Sequence, residues 1–117
     1  MSKQKLFAYA MVVGAGALIY PQSPWAEGFS SADFLRWDRQ SQDFLIQTSV
    51  TMVGIVASQT TENFAPCLDR WYSASDDQVR ASRHDHILDV MREHPDYHPQ
   101  AVILAVLKKQ CGPLKPD

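Results

Sequence analysis

Four histidines and two cysteines are the residues of this chain best equipped for chemistry: His84, His86, His94, His98, Cys67 and Cys111. Closely spaced imidazoles invite a metal ion. His84 and His86, however, are two positions apart on an expected helix, so they point about 160° apart and cannot share one ion. His94 and His98 have helical spacing, but Pro95 and Pro99 put them in a turn. All four are expected to be exposed or capping side chains, and no metal site is assigned. A thiol beside an imidazole would make a nucleophile; a disulfide would remove it. The acidic residues fall on solvated helix faces, and no spacing singles out an acid–base pair. Trp37, Trp71 and Tyr72 could line a cofactor pocket, yet at helical spacing they read as core or as partner surface. The expectation is a protein that is not an enzyme, with no catalytic residue and no cofactor.

The elements that would position these residues are helices. Ser30 and Ser31 offer caps, and Asp33 supplies negative charge to a first turn. Phe34, Trp37, Phe44, Leu45, Met52, Ile55 and Val56 then recur at steps that place them on one face of a long helix, roughly residues 31–60. Ser41 and Thr48 share that face, where small residues let a second helix approach. Gly54 is the weak point and a candidate bend.

A polar stretch, Ser58 to Asn63, leads to a short helix carrying Leu68, Trp71 and Tyr72, with Pro66 in its first turn. Ser73, Ala74 and Ser75 break it, and Ser75 with Gln78 forms a capping box for a third helix. That helix has Val79, His86, Ile87, Val90 and Met91 as its apolar stripe and stops near His94, ahead of Pro95. The last helix starts at Pro99, buries Val102, Ile103, Val106 and Leu107, and ends at Gly112 and Pro113. No alternating strand pattern occurs. The expected fold is all-α, a small four-helix domain.

The first 26 residues read differently. Lys3 and Lys5 precede an uncharged run from Leu6 to Tyr20, followed by Pro21, Pro24 and Ala26, the order of a secretory signal peptide. The run is shorter than the roughly 20 residues a spanning helix needs; an uncleaved anchor, the alternative, would bring membrane contact. The expected organisation is a signal over 1–26 and one helical domain over 27–117, in the periplasm. Without Lys3 and Lys5, nine basic residues face thirteen acidic ones. A mildly acidic domain with no basic stripe argues against nucleic acid as a partner. In an oxidising compartment the two cysteines read as a disulfide, Cys67 to Cys111, ahead of free thiols or a metal pair.

From Cys67-Leu68 onward, the later stretch V-M-R-E-H-P-D-Y-H-P-Q-A-V-I-L-A-V-L-K-K-Q-C, ending at Cys111, resembles the Rap/Tai family of immunity proteins. These neutralise peptidoglycan amidases delivered by type VI secretion. Cys67, His94, Pro95, His98 and Cys111 take the places of the family's framework; its early cysteine has no counterpart here, and only Met52-Val53-Gly54-Ile55 is similar to its glycine-rich stretch. The resemblance implies a periplasmic protein that binds a cell-wall amidase toxin and blocks it sterically. From residue chemistry alone, the candidate partner-binding surface is Trp71, Tyr72, Asp76 and Asp77, aromatics beside acids at a loop. A homodimer is compatible with this reading. Looser is the likeness of Ala32-Asp33-Phe34-Leu35 to acid-stress chaperones of the HdeA kind, which implies a pH-switched periplasmic chaperone instead.

Overall fold

The computed structural model describes residues 28–114; the expected signal peptide, 1–26, lies outside them. The fold is all-α. Its elements are α1 (Ser31–Phe34), α2 (Arg39–Thr60), α3 (Phe64–Tyr72), α4 (Asp77–Glu93) and α5 (Pro99–Cys111). Among the described residues there is no strand, and no helix is long and apolar enough to cross a membrane.

The long helix expected over 31–60 is broken in two. Asp38 stops it: its carboxylate accepts from the backbone N–H of Ser41 at 3.1 Å and from the Ser41 hydroxyl at 2.9 Å, so a new helix begins at Arg39. Ser30 caps α1 in a reciprocal box with Asp33. Gln42, buried in the first turn of α2, reaches back to the carbonyls of Phe34 and Leu35 at 3.2 and 3.3 Å, satisfying the end of α1. Trp37 sits in the intervening turn, its ring 5.1 Å from Phe34 and 5.3 Å from Phe29. Beyond the turn, α2 runs through Gly54 as one continuous helix.

The face of α2 that packs inward is also not the one its apolar periodicity selects. Gln42, Ile46, Ser49, Val50 and Ala57 are buried. Phe44 is 70% exposed, Met52 59%, Ile55 56% and Val56 47%. The reason lies in the neighbours. Across the inner face run α3 and α5, which need small or hydrogen-bonding residues at the crossings: Gln100 of α5 donates its amide to the Ser49 hydroxyl at 3.0 Å. Apolar residues occur on both sides of α2, so periodicity alone had two answers.

The other elements sit as expected, with two shifts of register. The cap of α4 is Asp76 rather than Ser75; its carboxylate accepts from the backbone N–H groups of Gln78 and Val79, both at 3.1 Å. On α4, His84 rather than His86 joins Ile87, Leu88 and Met91 inside. Helix α5 buries Val102, Ile103, Val106 and Leu107. A single core gathers these with Phe34, Ile46, Val50, Phe64, Leu68, Ile87 and Met91. Cys67 of α3 and Cys111 of α5 form the disulfide, Cα atoms 5.8 Å apart across 44 positions of sequence.

Candidate functional site

Three helices meet at a buried polar chain. Tyr72 closes α3, His84 lies about two turns into α4, and Asp43 begins the second turn of α2. The Tyr72 hydroxyl is 2.6 Å from His84 Nε2, and His84 Nδ1 is 2.8 Å from Asp43 Oδ1. A carboxylate can only accept, so Nδ1 carries the proton and Nε2 accepts from the phenol. Arg39 donates to Asp43 at 2.7 Å and reaches Asp85 at 3.0 Å, anchoring the outer end.

The protonation states follow from burial. His84, 2% exposed, is held below its ordinary value because burial disfavours the imidazolium; the bond to Asp43 pulls the other way and loses. Burial also raises Asp43, but the Arg39 guanidinium and the His84 ring outweigh it and hold the carboxyl below the usual range. Tyr72 is pushed up to about 12, first by burial. The connectivity is that of a nucleophile, base and orienting acid. Its end group is the wrong one for attack: a phenol 4% exposed, with a pKa of about 12, offers a substrate neither approach nor anion at neutral pH. Chemically, the chain is a lock between α2, α3 and α4.

Beside this lock runs the loop 73–76, followed by Asp77 at the start of α4. Tyr72, expected at the surface, is turned into the core because its hydroxyl finds His84 there. Trp71 is half-buried, with the Arg83 guanidinium 5.0 Å over its ring and Arg83 Nε donating to its carbonyl at 2.7 Å. Ser73 takes a left-handed conformation, φ 51°, which turns the chain out of α3. Arg80 donates to the Ala74 carbonyl and, at 2.6 Å, to Asp77. Asp76 is engaged as the cap of α4, while the Asp77 side chain stays 88% exposed. Residues 74–77 are therefore exposed, yet two arginines and a cap hold the loop in one shape. It separates a groove of about 340 Å³ between α2 and α3, lined in part by Gln47, Ile55 and Asp69, from a hollow of about 130 Å³ beside Asp43, Arg80 and His84.

The His94-Pro95-Asp96-Tyr97-His98-Pro99 turn lies away from this loop and has a separate job. His98 caps α5, its Nδ1 accepting from the Gln100 N–H at 3.1 Å, and Pro99 fills the first helical position. Its carbonyls receive the start of α1: Ser31 N–H and hydroxyl donate to Tyr97 O, both at 2.8 Å, and Ala32 N–H donates to Pro95 O at 3.0 Å. His94 packs on Tyr97 with ring centres 4.9 Å apart. Among the described residues, no three histidine, cysteine or acidic side chains gather as a metal site. His86 and His94 are exposed and His98 is a cap; His84 is the exception to the expectation of exposed or capping histidines.

Comparison with protein-family models, with curated proteins and with solved structures finds no match to this chain.

Proposed function

We propose that the protein is an immunity-like inhibitor: a periplasmic, disulfide-closed domain that binds a secreted peptidoglycan amidase and occludes its cleft. The observation that carries this reading is the loop 73–76 with Asp77 beside it, exposed and yet pinned by Arg80, Arg83 and the Asp76 cap. An exposed loop already held in one conformation loses little entropy on entering a cleft, and that favours tight steric blocking. Trp71 at its root and Asp77 at its edge supply an apolar and an acidic contact. The resemblance of the segment from Cys67 to Cys111 to the immunity family points the same way, and its framework residues do framework work here.

The oxidised protein, used as bait in periplasmic and membrane extracts, is expected to retain one stoichiometric cell-wall amidase through a stringent wash. Trp71→Ala and Asp77→Lys each weaken that binding at least tenfold while leaving the helical circular dichroism unchanged. Unchanged affinity in both variants removes this surface; recovery of many clients only after acid treatment favours the acid-stress chaperone.

A further inference from the structure

Helix α2 carries a second surface that the loop reading does not use. From Phe44 to Thr61 the chain has no charged residue and no histidine, although half of this stretch faces solvent. Ser41, Phe44, Thr48, Thr51, Ile55 and Ser58 are all exposed and recur at alternating steps of three and four. That spacing is the seam of a two-helix coiled coil. Phe44 at 70% and Ile55 at 56% exposure are its apolar knobs, flanked by Met52 at 59%.

The order of residue types along the seam is serine, apolar, threonine, threonine, apolar, serine. It reads the same in both directions about a point midway between Thr48 and Thr51. A two-fold axis through that point lays a second α2 antiparallel on the first. It sets Phe44 against Ile55 of the partner subunit, Thr48 against the partner's Thr51, and Ser41 against the partner's Ser58. A closed symmetric pair requires one patch to complement itself in this manner. Like charges, the usual obstacle between identical surfaces, are absent from the seam.

Two further observations favour a second copy. The small residues at the centre allow close approach, and two of the seam hydroxyls are already satisfied inside the helix: Thr48 Oγ1 donates to Phe44 O at 2.9 Å and Ser58 Oγ to Ile55 O at 2.7 Å. Such groups enter a dry seam without leaving a donor unpaired. Thr51, Gly54, Ile55 and Ser58 also line the α2 side of the groove of about 340 Å³. Knob and hole belong to the same chain and are exchanged by the same axis.

We propose that the protein is a two-fold homodimer joined by antiparallel packing of α2, with Phe44 of each subunit seated over Thr51, Gly54 and Ile55 of the other. This rests on α2 alone and is independent of the amidase reading. The test is sedimentation velocity on the oxidised full chain, with Phe44→Asp and Ile55→Asp as variants; both side chains are exposed, so neither change disturbs the core. The wild-type chain is expected at twice its monomer mass and each variant at the monomer mass, with the same helix content. A wild-type monomer overturns the proposal; if Phe44→Asp then lowers the melting temperature of that monomer, the chain's own Leu6–Tyr20 run is the occupant. A dimer that ignores both substitutions overturns it as well. Orientation is read separately: chains carrying Thr48→Cys cross-link to chains carrying Thr51→Cys in preference to their own kind. The reverse preference rejects the antiparallel axis.

Discussion

Tyr72, His84 and Asp43 owe their states to one another, and that makes them testable one at a time. Replacing Tyr72 by Phe leaves His84 Nε2 buried with no donor, which costs about 1–3 kcal/mol. Urea titration at neutral pH should show that loss as a lower midpoint with an unchanged slope. The same triad sets a pH dependence. Folded His84 titrates below 6.5, so as pH falls through 6.5 the unfolded chain takes up a proton that the folded chain refuses, and stability falls. A second window lies lower. Asp33, held down first by the Ser30 backbone N–H, Asp38, held down first by the Ser41 side chain, and Asp43 each titrate below 3.8 when folded. Their contribution is present above 3.8 and lost as pH falls through the lower folded values. Denaturation midpoints between pH 7.5 and pH 5.5 (about a unit either side of the histidine's ordinary value) should therefore drop in the wild type and stay level in His84→Gln. An equal slope in both would mean that His84 takes up its proton in the fold as readily as in the unfolded chain.

Helix boundaries follow the same economy of local groups. Asp38 alone separates α1 from α2, so Asp38→Ala should cost about 1 kcal/mol and let the two helices fray at the junction, seen as faster amide exchange at Gln40 and Ser41. Gly54 makes the opposite prediction. A methyl there would stand 3.7 Å from Leu68 Cδ2, an ordinary contact, in a helix that is already continuous. Gly54→Ala should accordingly stabilise the fold by about 0.5–1 kcal/mol, measured as a raised urea midpoint. A loss of stability would show that α3 packs closer to α2 than this distance.

At the scale of the molecule, the disulfide links the two helices that flank α4 in sequence and pack against it. Closing a loop of 44 positions stabilises a fold by about 4 kcal/mol in the chain-entropy model. Domains of this size hold roughly 5–15 kcal/mol in all. The double variant Cys67→Ser, Cys111→Ser should thus melt well below the oxidised protein, and a reductant should bring the wild type to the same temperature. A fall in melting temperature of only a degree or two would transfer the main share of stability to the helix core. Should the dimer form, its seam adds a concentration-dependent term on top of this one.

What the sequence by itself determined is whatever one turn of chain can decide. Pro95 ends α4, His98 and Pro99 start α5, Gly112 ends it, and two cysteines in a chain have one intramolecular pairing. Each of the helix signals acts on backbone groups within four residues of itself, while the disulfide, 44 positions apart, was legible because two cysteines leave one pair to form. The tertiary structure decided the rest. The apolar stripe set His86 inward on paper, and only the arrival of Tyr72 from α3 and Asp43 from α2 turns His84 inward instead. Tyr72 looked like a surface anchor until its hydroxyl had a buried acceptor. On α2, apolar residues lie on opposite sides, and the side that is buried was chosen by where α3 and α5 cross, with Ser49 and Gln42 inside and Phe44 and Ile55 left outside. Burial is a property of the pair of surfaces that meet, and a sequence states only one of them at a time.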